Sequence, residues 1–150
     1  MIGTDIADTV SAIGGLMFDC ARSGWHVDVY LETGGGHAAL QVLGVIGRIL
    51  PARFEFEPDL PDAIFFAAGL QERDRGVRKL IDEVSRRRRA FTAAWDASGD
   101  DIEHRLSSAA QAFKREAMRA AGMDARACSG ETFHSTVRPS ADVPPPLPRA

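Results

Sequence analysis

The sequence is poor in several things that would point to a function, and each shortage excludes a class. Among its 150 residues there are only two cysteines, Cys20 and Cys128, and they are too far apart for a metal-binding pair. Zinc-ribbon and disulfide-scaffold architectures are therefore excluded. Lysine is nearly missing: Lys79 and Lys114 stand against sixteen arginines, a bias that reads as the codon usage of a GC-rich, bacterial genome. There is no basic excess, since the formal charge is -3, and this argues against general affinity for nucleic acid or an anionic membrane. No run approaches the roughly eighteen apolar residues that span a bilayer. The first residues carry acids rather than lysine or arginine, so no secretory leader is expected and the default location is the cytoplasm. A Gly-x-Ser-x-Gly nucleophile turn is missing, and no Ser, His and acid set follows from spacing.

What is present is an ordinary globular composition, 45% apolar and 26% charged, arranged in alternating strand and helix patterns. Ile6, Val10, Ile13, Met17 and Cys20 recur at helical spacing and predict a helix over 5–23. Val27, Val29 and Leu31 alternate with Asp28 and Tyr30, the period of a strand over 25–32. Gly34, Gly35 and Gly36 follow. A helix is then predicted over 37–49, with Val42, Val45, Ile46 and Ile49 on its buried stripe and Pro51 closing it. Phe54 and Phe56 alternate with charges and predict a short strand over 53–57.

The apolar run Ala63–Ala68 predicts a central strand buried on both faces, ended by Gly69. A helix over 72–89 and a strand over 90–95 come next. Asp100 with Glu103 resembles a capping pair for a last helix, with Ile102, Leu106, Ala109, Phe113 and Ala117 as its stripe and His104 as a solvated residue. Beyond Gly122 the apolar pattern stops and prolines accumulate.

The fold class predicted is α/β: a three-layer sandwich with a mostly parallel four-stranded sheet of Rossmann or flavodoxin type, helices on both faces, and a flexible tail. The domain is expected to occupy 1–122, and the Pro-rich segment 123–150 to be disordered.

In such sheets ligands bind outside the carboxyl ends of the strands. Those ends carry Glu32, Thr33, Gly34, Gly35, Gly36 and His37, then Gly69 and Gln71, then Asp96, and these are the candidate ligand-binding residues. Gly34-x-Gly36-x-x-Ala39, followed by Glu55 or Glu57, aligns with a dinucleotide fingerprint. Glu32 departs from that pattern, because a carboxylate beside the glycines repels phosphate. Glu32, His37 and Asp96 lie on three segments and fall short of a metal site, so no metal is expected. Arg86–Arg89 ends a predicted helix, where the dipole favours cations.

The expectation that follows is a small cytoplasmic domain that binds a small molecule or a protein partner without catalytic machinery, and no nucleic acid or membrane. Two alternatives stand beside it. One is an enzyme using a nucleotide or phosphometabolite at Gly34–Gly36, and the other an interaction adaptor using the Pro-rich tail and Arg86–Arg89. No particular cofactor is implied.

Overall fold

The computed structural model describes residues 1–55, 61–87, 90–97, 101–136 and 148. It contains β1 (Ile2–Gly3), α1 (Ile6–Arg22), β2 (Asp28–Leu31), α2 (His37–Val42), β3 (Ile46–Ile49) and β4 (Ala63–Ala67). There follow α3 (Ala68–Arg73), α4 (Arg75–Arg87), β5 (Phe91–Trp95), β6 (Asp101–Arg105), α5 (Ser108–Ala120) and β7 (Gly130–Ser135).

The strands form one seven-stranded sheet in the order β3-β2-β1-β4-β5-β7-β6. β1 to β5 pair in parallel, whereas β7 runs antiparallel to both β5 and β6. The sheet is therefore mixed and seven-stranded, a correction to the four-stranded, mostly parallel sheet expected from the sequence. Helices complete three layers, with α5 packed on α1 and α2, and α3 packed on α4. No described helix is long and apolar enough to cross a membrane.

Local chemistry sets where each element begins and ends. The Asp5 carboxylate caps α1 by accepting from the Asp8 amide (2.9 Å). Asp74, extended between α3 and α4, caps the second of them by accepting from the Val77 amide (2.8 Å). That cap explains why the single helix predicted over 72–89 is two helices that begin at Ala68. The segment predicted as one helix over 37–49 also divides. Gly44 takes a left-handed φ of 73°, and the Gly44 and Val45 amides return to the Gln41 and Leu40 carbonyls (3.0 and 3.0 Å), which ends α2. The chain then turns into the edge strand β3, so Ile46 and Ile49 are exposed rather than buried.

Two further differences concern the C-terminal half. Residues 101–105, predicted as the start of a helix, form β6: Ile102, His104 and Leu106 face inward alternately with exposed Glu103 and Arg105, and the helix starts only at the Ser107 cap. Residues 130–135, expected in a flexible tail, form β7 between β5 and β6, with Phe133 fully buried against Phe65 (ring centroids 5.2 Å). Of the strand predicted over 53–57, residues 53–55 are not strand, and Phe56 and Glu57 lie outside the described residues. Phe54 packs edge-on to Tyr30 instead (5.3 Å).

Trp95, Phe66, Phe133, Ile13, Leu16 and Met17 are among the largest wholly buried side chains, each contributing about 1.5–3 kcal/mol by leaving water. Within this core lie two polar clusters. The Asp19 carboxylate meets His104 Nε2 (3.0 Å) and accepts from Ser107 Oγ (2.6 Å) and the Ser107 amide (3.2 Å). Glu131 pairs with Lys114 (2.6 Å) and accepts from the Gly15 and Leu16 amides of α1 (2.7 and 2.8 Å). Cys20 is buried, and desolvation pushes its thiol up to about 12, which leaves it an inert apolar filler.

Candidate functional site

Parallel pairing of β1 to β5 places their carboxyl ends on one edge of the sheet. β1 delivers Thr4, Asp5 and Asp8; β2 delivers Glu32 and Thr33; β4 runs directly into α3, which carries Gly69, Gln71 and Arg73; β5 delivers Trp95 and Asp96.

Two linked groups stand on this rim. In the first, the Arg73 guanidinium donates to Glu32 (2.7 Å) and to Thr4 Oγ1 (3.0 Å), and Thr33 Oγ1 donates to the Thr4 carbonyl (3.2 Å). Glu32 in turn raises the pKa of Arg73, chiefly through that hydrogen bond. In the second, Trp95 Nε1 donates to Asp8 Oδ2 (3.2 Å). Burial raises the Asp8 carboxyl above its ordinary value; the indole hydrogen bond opposes this, while the nearby charges of Asp96 and Asp5 add to it. Asp96 holds a left-handed backbone (φ 58°), the one such non-glycine among the described residues. That conformation carries strain for any side chain with a Cβ, although aspartate tolerates it better than most residues. A protonatable carboxyl held by an indole beside a second carboxylate is equipped for proton transfer.

The residues singled out in the sequence are distributed unevenly over this arrangement. Glu32 and Asp96 enter the two groups, and Thr33 borders the first. Gly69 and Gln71 lie on α3, whose Arg73 makes the contact. The glycine turn has a packing explanation: Gly36 is left-handed (φ 75°), and a Cβ there would overlap Ile6. His37 opens α2, a helix of six residues with no side-chain cap. Among the described residues no group of three or more His, Cys, Asp or Glu side chains is arranged to hold a metal. Arg86 Nε donates to the Asp82 carbonyl (3.1 Å), Arg88 and Arg89 lie outside the described residues, and so do 137–147 of the Pro-rich tail. Asp8, Arg73 and Trp95 were not singled out. Asp8 and Arg73 sit at positions whose charges suit a helix's first and last turns, and Trp95 reads as the end of a buried strand.

No protein-family model and no curated protein matches the chain. Solved structures do match it in fold. One is a deacetylase of teicoplanin biosynthesis in complex with teicoplanin, with a TM-score of 0.63 at 12% identity over 93% of this chain and 97% of that one. Another is the A40926 pseudoaglycone deacetylase Dbv21, with a TM-score of 0.65 at 14% identity over 94% and 97%. A third is the zinc-inhibited form of the teicoplanin deacetylase Orf2, with a TM-score of 0.55 at 12% identity over 79% and 81%. At such identities the likeness is one of fold: an α/β sheet covered by helices. The expectation of a binding domain without catalytic machinery is corrected by these neighbours, which are enzymes. Its motivation was the lack of a catalytic set readable from spacing, whereas the Asp8, Trp95 and Asp96 group forms only on folding. The zinc of the third neighbour finds no matching set of ligands among the described residues of this chain.

Proposed function

We propose that this protein is an enzyme that hydrolyses an N-acyl amide, releasing a carboxylic acid and an amine, with its site on the carboxyl rim. The observation that carries the reading is the Asp8 carboxyl, raised in pKa and held by Trp95 beside the strained Asp96. The near-full-length likeness in fold to deacetylases supports the reaction class. The five parallel strands in the order β3-β2-β1-β4-β5 support the Rossmann-like class expected from the sequence.

In this reading Asp8 takes a proton from the attacking water and later returns it to the leaving nitrogen. A carboxyl with a raised pKa is the better base and the better acid near neutrality. Burial keeps that pKa high, the charge of Asp96 adds to it, and Asp96 helps retain the product as an ammonium ion. Arg73, locked by Glu32 and Thr4, stands across the rim as a cation for a polarised acyl oxygen. Thr33, Gly34, Gly35, Gly36, His37, Gly69 and Gln71 border the substrate. No step is routed through a metal.

The test is hydrolysis of a panel of N-acetylated amino sugars, amino acids and glycopeptides in water enriched in heavy oxygen. The expected result is release of amine together with acid carrying one solvent oxygen. Failure to release either product from any member overturns the proposal.

A further inference from the structure

The parallel crossovers from β1 to β2, from β2 to β3 and from β4 to β5 each lay a helix on the sheet. The crossover from β3 to β4 differs, because no described residue between Ile49 and Ala63 is helical or strand. The register pairs Ile2 with both Tyr30 and Phe66, so Ile2, Asp28, Tyr30 and Ile64 share a sheet face. Beside α4 that face is left partly open. Ile46 and Arg48, which pair with Asp28 and Tyr30 on it, are an exposed and a half-exposed edge residue.

A cavity of about 640 Å³ occupies this gap and reaches the amino ends of β1, β2 and β4, at the opposite edge of the sheet from the carboxyl rim. The volume falls in the range of about 300–1,000 Å³ that small-molecule sites occupy. Its apolar lining includes Trp25, Tyr30, Ile64 and Leu80. Ile64 and Leu80 are buried, whereas Trp25 and Tyr30 are only half-covered. Its acids are Asp28 and Asp62, and neither lysine nor arginine is among the described residues that line it. Asp28 is shared by His26 (3.2 Å) and Arg48 (3.1 Å), and the Met1 amine is spent on the Asp28 carbonyl (2.7 Å). Asp62 stands exposed at the mouth.

Half-covered Trp25 and Tyr30 beside a space of this size give an aromatic ring a surface to stack on, and the exposed Asp62 carboxylate at the mouth selects its charge. We infer that this cavity is a binding site, distinct from the carboxyl rim, for a small aromatic compound that carries an ammonium group. The ring inserts among Trp25, Tyr30, Ile64 and Leu80, and the ammonium rests against the indole or phenol face within reach of Asp62.

The experiment uses the full chain and three probes that share one ring: tryptamine, indole and indole-3-acetate. Binding is followed through the backbone amides of residues 24–28 and the Trp25 indole N–H by two-dimensional NMR. Saturable shifts are expected there, with tryptamine tighter than indole-3-acetate by about tenfold. Asp62→Asn, an exposed and conservative change, is expected to erase most of the preference for tryptamine while leaving indole binding intact. Leu80→Trp, which enlarges a side chain that lines the cavity, is expected to abolish binding of all three. Three results would overturn the inference: no saturable shift with any probe, indole-3-acetate binding as tightly as tryptamine, or an unchanged preference in the Asp62→Asn protein. Because these readouts do not involve turnover, failure of the amide-hydrolysis reading leaves them interpretable.

Discussion

Replacing Lys114 with methionine keeps the bulk of the side chain and removes its charge. The Lys114 and Glu131 side chains are only 4% and 1% exposed, and their atoms approach to 2.6 Å. Glu131 is also held by two amides of α1, so the carboxylate cannot swing out to water when the ammonium is lost. An unpaired buried charge of this kind costs about 3–5 kcal/mol. The total stability of such a domain is about 5–15 kcal/mol, so the change consumes a large share of it. Desolvation already raises the Glu131 carboxyl above its ordinary value despite Lys114 and the amides. In Lys114→Met the folded pKa rises further, and the native state then binds the proton more tightly than the unfolded chain does. Any stability that depends on this group is fully present below the unfolded value of about 4.3 and is lost as pH rises through the folded value. Urea unfolding followed by circular dichroism is therefore expected to show a larger deficit at pH 8 than at pH 5. Glu131→Leu in the same background removes the unpaired buried charge and is expected to recover part of the lost stability, but not the hydrogen bonds that Glu131 accepts from the Gly15 and Leu16 amides. A Lys114→Met protein within 1 kcal/mol of wild type at both pH values, on the order of the error expected for an exposed pair, would refute this reasoning.

Other outcomes follow from particular contacts. Ser107→Ala removes both the cap of α5 and a hydrogen bond to buried Asp19, and is expected to lower stability by about 1–2 kcal/mol in the same unfolding assay. Gly36→Ala meets a left-handed backbone and the Ile6 side chain at once, and is expected to destabilise by more than about 1 kcal/mol, read as a fall in Tm. Trp95→Phe removes the indole donor that favours ionised Asp8, so the acid limb of the pH–rate profile is expected to move to higher pH.

The parts of the fold that were legible in the sequence are those where one periodicity runs uninterrupted. The stripe from Ile6 to Cys20 gives α1, and the continuous run from Ala63 gives a strand that does lie inside the sheet, between β1 and β4's other neighbour, β5. Legibility fails where a short element hides inside a longer apparent period. Val42, Val45, Ile46 and Ile49 fit a helical stripe, yet Gly44 stops the helix and hands the last two to an edge strand. Ile102 and Leu106 are four apart and fit a helix equally well, and only the alternation through His104 with Ser107 as a cap reveals β6. β1 has two residues, too few for any period, so no strand was expected ahead of α1 and the carboxyl end that precedes Asp5 and Asp8 went unrecognised. The tail reading failed at 130–135 because a strand with one buried face needs only Glu131 and Phe133 inward, and one of those is a charge whose partner, Lys114, lies on another element.

The site suffers from the same limits. Glu32 and Asp96 were found by the positional rule for strand ends. Asp8, Trp95 and Arg73 were not, because their roles depend on contacts between residues 87, 41 and 69 apart in sequence.

The most direct measurement of the central claim is the rate of amine release from N-acetylated substrates by the wild-type and Asp8→Asn proteins, compared at matched folding. The account predicts measurable release by the wild type and a loss of about 10²–10⁴-fold in Asp8→Asn, the range of a general acid–base contribution. Release at an undiminished rate by Asp8→Asn would contradict it.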